Sequence, residues 1–504
     1  MRSNRQVFSN IGKAFYSLSA KQLSNPNVQL TSLSNGVRVV TDCTPGHFSA
    51  LGAYVDGGSR FEDPERPGIS HIVDRMAWKS TEKFSGVEMM DRLSKLGGNY
   101  MCSAQRESMI YQASVFNKDL EQMFECIAQT IRAPRITELE LNESLQTAEY
   151  EGTEISLKPE LAIPEELHAA AYEKNTLGLP LFCPIERIPS VTLQEVKDYH
   201  KKFYQPQNIT LAMVGVPHEK ALRLAQSHFG DWKNELHDRA KLDKVRYTGG
   251  EIALPYQPPI AGNLPELYHL QIAFETTGLL DDDLYALALL QKLLGGGSSF
   301  SAGGPGKGMF SRLYTRVLNQ YGFVENCMCF NHSYVGSGLF GITMSCMPQT
   351  APVMAHIICF ELSKLLEKDP SEGGITDSEF DRAKNQLISS LLMNVESKLA
   401  ALEDMGRQIQ CQGTLTTIDE MISKIESLEL KDIRSVAEKV LTGETVTSGF
   451  SSGRPTVAVQ GNREEFGDIE FVLQQFGLGK LQGKPLSKPR EFGGGIRSKF
   501  SRWF

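Results

Sequence analysis

The stretch "GISHIVDRMAWKST", Gly68 to Thr81, decides how this chain is read. His71 and Arg75 are four residues apart, so on a helix they share one face, with Asp74 beside them. In the helical zinc motif His-x-x-Glu-His, two imidazoles hold the ion and the carboxylate works on its water. Here the same frame holds His-Ile-Val-Asp-Arg. A guanidinium has no lone pair to give and stays charged. Arg75 at the second ligand position would therefore repel zinc. Asp74 keeps a carboxylate but is one methylene short. Taken alone, the stretch is equally well a helix carrying one histidine and an Asp–Arg pair.

Working outward, the residues around it alternate between strand and helix patterns. "VRVVTDC" (37–43) and "ALGAYVDGGSR" (50–60) are rich in β-formers and broken by Gly or Asp. A helix is expected from about Ile69 to Trp78, and "GVEMMDRLSKLGG" reads as a helix stopped by Gly97 and Gly98. "QRESMIYQASVF" reads as a strand, followed by helices over 118–134 and 136–155. "TLQEVKDYHKKFYQPQNITLAMVG" then gives a helix and a buried strand. After residue 267 much of this order returns. "YHLQIAFETTG" is a strand, "DDLYALALLQKLLGGG" a helix stopped by glycines, and "GSGLFGITMSCMP" a strand. Helices over 351–367, 377–397 and 429–441 follow, and "RPTVAVQG" closes the half as a strand.

The expected fold is α+β: two duplicated α/β halves, each a mainly antiparallel sheet packed with helices. The halves are expected at 28–248 and 267–477, joined by a Pro- and Gly-rich linker over 249–266. Two unrelated α/β units are the competing reading.

Composition narrows the function. The chain has 504 residues, 41% hydrophobic and 22% charged, which suits a large buried core. Its nine cysteines show no zinc-ribbon spacing, and a reducing compartment is the simple reading. No apolar run approaches the roughly 18 residues of a spanning helix. Residues 1–27 carry Arg2, Arg5, Lys13 and Lys21, are serine-rich, and precede the first acidic residue, Asp42. Val7, Ile11, Phe15 and Leu18 form one helical stripe. That is the pattern of a mitochondrial transit peptide, with a plain basic arm as the alternative. The formal net charge is −8, and removing this segment makes the remainder more acidic. Such a chain is a poor nucleic-acid binder and suits a basic partner. A basic tail, 478–504, follows the second half.

The order "GGSRFED…PGISHIVDRMAWKST" resembles the corresponding motif region of the pitrilysin-like zinc metallopeptidases, a family built from duplicated α/β halves. The resemblance runs from about Val28 to about Gly477. It takes in "LKPELAIPEELHAAAYEKNTLGLPLFCP" (157–184) and, most specifically, "GGPGKGMFSRLYTRVLNQYGFVENCMCFNHSYVGSGLFGI" (303–342). Within the family the chain is similar to α-type subunits that lack a working zinc motif. The resemblance implies several things: a catalytically inactive chain with no cofactor of its own, a heterodimer with a catalytic β subunit that holds the zinc, and a place in the mitochondrial matrix. The implied substrates are the basic amphipathic presequences of imported precursors. It also implies that Glu149 or Glu151 stands where the distal zinc ligand would fall. Structural core subunits of the respiratory cytochrome bc1 complex resemble the same family and are the alternative.

The glycine run is the other candidate site. Gly295, Gly296, Gly297, Gly303, Gly304, Gly306 and Gly308 are interleaved with Ser298, Ser299, Phe300, Lys307, Met309 and Phe310. It is not a phosphate loop: Gly308, not Ser or Thr, follows Lys307, and the run follows a helix rather than a strand. Glycine permits bare backbone to approach an extended peptide, and Phe300, Met309 and Phe310 can meet apolar side chains. The resemblance implies that this run holds substrate; a surface insertion is the alternative reading. Between Glu138 and Glu166 nine glutamates face one lysine, Lys158. Such a cluster would steer a basic peptide in, although individual glutamates are commonly just a solvated helix face.

Overall fold

A computed structural model gives the fold; the residues described are 27–235, 239–258, 265–299, 309–445, 447 and 449–481. The expected transit peptide, the basic tail beyond residue 481, residues 259–264 of the expected linker and residues 300–308 of the glycine run lie outside them.

The first elements are β1 (Val28–Ser32), β2 (Arg38–Asp42), β3 (Phe48–Asp56), α1 (Ile69–Arg75) and α2 (Gly86–Leu96). Next come β4 (Asn99–Ala104), β5 (Ser108–Phe116), α3 (Leu120–Arg132), α4 (Glu138–Ser156), α5 (Pro159–Ala171) and α6 (Leu193–Phe203). They are followed by β6 (Ile209–Val214), α7 (His218–Phe229), β7 (Arg246–Tyr247), β8 (Gly250–Leu254), β9 (Tyr268–Thr276) and α8 (Leu284–Leu294). Then come β10 (Gly296–Ser298), β11 (Val324–Tyr334), β12 (Ser337–Cys346), α9 (Ala351–Ser363), α10 (Asp377–Val395) and α11 (Lys398–Gln412). The last are α12 (Ile418–Ser427), α13 (Leu430–Leu441), β13 (Phe450–Ser451), β14 (Thr456–Gln460) and α14 (Ile469–Gln475).

Two six-stranded sheets result, ordered β1-β2-β6-β3-β5-β4 and β10-β11-β12-β9-β14-β8. Within each, the pairings are antiparallel except one, β2 with β6 and β8 with β14. Read from their parallel pairs, β2-β6-β3-β5-β4 and β8-β14-β9-β12-β11 follow the same order and sense. The duplication is therefore present strand by strand, and the mainly antiparallel α+β architecture is the one expected. The correspondence makes β8 the counterpart of β2. Residues 250–254, expected as linker, are thus an edge strand, with Pro255 just beyond its end.

The two compact units do not coincide with the two sequence halves. One comprises the chain up to Tyr150 with Leu181–Leu242 and Leu391–Met421; the other comprises Glu151–Pro180, Asp243–Ser390 and the chain from Ile422. Each unit receives a helix from the other half. In the first, strand alternation sends Leu51, Ala53 and Val55 of β3 to a face covered by α1, α2, α3, α6 and α7. Ala50 and Tyr54 go to the opposite face, where α11 supplies Leu402, Met405 and Ile409. Burying each of the leucine, isoleucine, valine and methionine side chains among these contributes roughly 1.5–3 kcal/mol. In the second unit, Ala273, Phe330, Leu339 and Ala458 of the sheet pack against Ile163, Leu167 and Ala171 of α5.

Helix ends follow local chemistry. Ser85 and Glu88 form a capping box at the start of α2, and Gly97 ends it at φ +60. Thr192 and Glu195 do the same for α6. Helix α1 stops at Arg75, short of the expected Trp78, which itself sits at φ +63.

Candidate functional site

The opening stretch forms α1 under tight constraint. Its N-cap, Gly68, has φ +91, and a Cβ there would lie 2.4 Å from Cys183 Cα. Only glycine fits both demands. Buried Glu62 accepts the N–H groups of Ser70, at 2.6 Å, and of Gly68, so a carboxylate closes the helix start. Burial pushes the Glu62 carboxyl up to about 7, against the pull of Ser70, Gly68 and Arg187.

On α1, His71 is buried, and its Nδ1 accepts the Cys183 N–H at 3.1 Å. Asp74 is buried too; its Oδ2 accepts from Arg75 Nη2 and from the Ala104 N–H, both at 3.0 Å. Burial raises the Asp74 carboxyl, and the Arg75 guanidinium works against that rise. Cys102 on β4 lies against Asp74, and burial with that negative charge lifts its thiol well above the usual range. The hydroxyls of Tyr111 and Tyr204 meet at 2.7 Å nearby. Sequence reading quoted Glu62 within the motif order without giving it a role, and it missed Cys102 and the two tyrosines, because nothing in their spacing ties them to the motif.

A zinc ion needs three protein donors with an open fourth position. Asp74 is committed to a cation and a backbone amide, and Arg75 occupies the second ligand position. Glu149 is exposed and Glu151 half-buried, both on α4, which touches α1 through Ser144 Oγ and Arg75 O at 3.3 Å. Among the described residues no group of three or more His, Cys, Asp or Glu is arranged to hold a metal. This donor set does not fit zinc.

At the glycine run, Gly296–Ser298 form β10, added to the edge of β11 with Gly296 opposite Met328 and Ser298 opposite Asn326. Gly295 has φ +55 and Gly296 φ +95; a Cβ on Gly296 would lie 2.1 Å from Cys327 O. The Gly296 N–H donates to Ser311 Oγ at 3.0 Å, and the Ser299 N–H to Glu325 O at 2.7 Å. The far side of the run is equally fixed. Arg312 is fully buried: Nε and Nη2 donate to Glu379 at 3.0 and 2.9 Å, Nη1 to Gly373 O, and Nη2 also to Gly374 O. Between these anchors Phe310 is exposed and Met309 half-buried, while Phe300, Gly303, Gly304, Gly306, Lys307 and Gly308 lie outside the described residues. Met328, absent from the sequence reading, is a further exposed apolar side chain at this root.

Comparison with known proteins fits this picture. The model of the insulinase family, peptidase family M16, matches residues 38–185, and the M16 inactive domain matches 190–387. The chain is 43% identical to the mitochondrial-processing peptidase subunit alpha of Neurospora crassa, over 86% of each chain. It is 44% identical to a probable mitochondrial-processing peptidase subunit alpha of Schizosaccharomyces pombe, over 93% of this chain and 92% of that one. The human subunit alpha is 32% identical, over 88% of this chain and 84% of its own. A solved structure described as complex III2 from Candida albicans shares the fold, with TM-score 0.74 at 18% identity over 89% of this chain and 99% of that one. The chain therefore belongs to peptidase family M16, where its similarity is to the alpha subunits of the mitochondrial-processing peptidase.

Proposed function

We propose that this chain is a non-catalytic, substrate-recognition subunit of a processing peptidase in the mitochondrial matrix. The observation that carries the reading is Arg75 at the second ligand position, ion-paired at 3.0 Å with the carboxylate that would otherwise act on water. The chain then holds no zinc of its own, and hydrolysis belongs to a zinc-bearing β subunit. Its substrates are the basic amphipathic presequences of imported precursors. The glycine run from Gly295 to Phe310 offers bare backbone, and Phe310 and Met328 offer apolar contact to a presequence's apolar face. The acidic chain supplies long-range attraction that weakens as salt rises.

The test mixes the purified chain with a zinc-bearing β subunit and a fluorescent presequence peptide, and compares cleavage by each alone with cleavage by the mixture. Cleavage in the mixture alone, with less than one tight zinc per copy of this chain, is the expected result. Cleavage by this chain alone would reject the reading. A stable complex without cleavage would move it to a structural core subunit.

A further inference from the structure

Glu275, near the end of β9, is 4% exposed. Ser337 Oγ on β12 donates to its Oε1 at 3.0 Å. The Tyr172 hydroxyl, just past α5, lies 3.3 Å from the same Ser337 oxygen. A serine hydroxyl has one proton, so Tyr172 is the donor in that second bond. A directed chain thus runs from α5 through β12 to the carboxyl on β9. The other carboxyl oxygen, Oε2, is buried and has no partner in good hydrogen-bond geometry, nor has the nearby Thr447 Oγ1.

The remaining groups on this face are hydroxyls too. Thr447 and Ser451, the latter on β13, face the carboxyl. Thr445 Oγ1 donates to the Glu275 carbonyl at 2.9 Å. On β7, the Tyr247 hydroxyl is engaged by Arg454 O at 2.7 Å and Thr456 Oγ1 at 2.9 Å. Tyr334 on β11 meets His168 Nε2 of α5 at 2.9 Å. Two arginines bring charge here: Arg454, which acts on the Tyr247 hydroxyl, and Arg246 on β7, which pairs with Glu173 at 3.4 Å and lies over the Phe450 ring of β13.

A buried carboxylate with one bare oxygen is costly, whereas a carboxylic acid is not charged and can donate to a hydroxyl acceptor. We propose that Glu275 is a proton-binding site of the second unit. Its acid form holds the β7–β13 ribbon against the sheet, and its ionised form releases it. Burial independently pushes this carboxyl up to about 7, against the polar pull of the Ser451, Ser337 and Thr447 hydroxyls around it.

The sign follows from linkage. The docked carboxyl binds its proton up to about pH 7, while a solvated glutamate releases it near pH 4.5. Docking is therefore tightest at low pH. The opening equilibrium rises by up to about tenfold per pH unit between roughly 5 and 7, then levels off.

The test is hydrogen exchange of the Thr248 and Gly249 amides, which follow β7 and donate to the Ala171 carbonyl of α5 and so are freed when the ribbon undocks, followed in the full chain from pH 5 to 8 and corrected for intrinsic rates. Protection should fall about fortyfold from pH 5 to 7 and only about twofold more by pH 8. Glu275→Gln, which mimics the acid, should give a flat profile. Ser337→Ala removes the donor to Oε1 and should move the midpoint up. A flat wild-type profile, or the same slope in Glu275→Gln, would overturn the proposal. If that variant does not fold, a Ser337→Ala midpoint that stays put or falls would overturn it instead.

Discussion

The two units share five strands in the same order but hold their borrowed helices by different means. In the first unit α11 is gripped by charge. Arg38 Nη1 donates to Ile409 O at 2.7 Å and Arg239 Nη2 to Gln410 O at 2.9 Å, both carbonyls in the last turn of the helix. Cations there complement the helix dipole, and Asp56 balances the two arginines while accepting from Gln410 Nε2 at 3.1 Å. In the second unit the last residue of α5, Ala171, has its carbonyl taken by the Thr248 and Gly249 amides. Tyr172 and His168 supply the side-chain ties, and the nearby acid is Glu275 among hydroxyls. The edges differ too. Sheet 1 leaves β4 as an outer strand, whereas sheet 2 covers β11, the equivalent strand, with glycine-rich β10. One duplicated frame has thus been given an ionic lock and a closed motif helix in one copy, and a hydroxyl lock with an extra glycine edge in the other.

The sharpest way to break this contrast is Arg312→Leu. It leaves Glu379 with only the longer Arg316 ion pair at 3.6 Å and the Gly374 carbonyl without its Arg312 donor, a loss of about 3 kcal/mol, the low end for a broken buried pair. Thermal unfolding followed by circular dichroism should lose its second-unit transition, with the first retained. Next comes a crossed pair. Trp78 and Trp232 both lie in the first unit, so in a background with the third tryptophan replaced, Trp503→Phe, tryptophan emission reports on it. Leu402→Ala, in the second half of the sequence, should lower the urea midpoint seen by emission through a loss of about 3 kcal/mol. Leu167→Ala, in the first half, should leave that midpoint in place and lower the other transition.

Gly296→Ala should be smaller, about 2 kcal/mol and confined to β10, because φ is +95 and Cys327 O is in the way. Gly297→Ala meets open space but carries φ +159, so it should cost less than Gly296→Ala, through backbone strain alone; presequence affinity of the two variants checks the contrast. The smallest effect concerns acid. Burial depresses His200 in the first unit and His269 in the second to about 4. Each unit then keeps full stability above the unfolded histidine value, near 6.5, and loses it as pH falls toward 4. His200→Gln should make the emission midpoint less sensitive between pH 6.5 and 5.5 by about 1 kcal/mol, leaving the second unit's response unchanged.

Strand alternation and glycine stops made the α+β class and the repeat readable, because both are local signals. "ALGAYVDGGSR" and "YHLQIAFETTG" became the matching central strands β3 and β9. Periodicity cannot say which sheet a helix will cover, so the exchange of α5 and α11 was invisible. The Pro and Gly content around residues 249–266 hid β8, whose backbone pairs with β14 across some two hundred residues of sequence. At the motif, residue types alone showed that Arg75 conflicts with zinc. The Glu62 clasp is local, but it depends on how the intervening turn folds, and the Cys183 amide on His71 and the placement of Cys102 depend on segments returning from further along the chain.

The exchanged helices also set a timetable. A chain emerging N-terminus first completes the strands of sheet 1 once β6 is out, at Val214. The face bearing Ala50, Tyr54, Ala212 and Val214 then waits for α11, which ends at Gln412. At about 5–20 residues per second that wait lasts roughly 10–40 seconds, with apolar sheet open to other chains. Any synthesis or transport step that halts between those points leaves the protein at its most aggregation-prone.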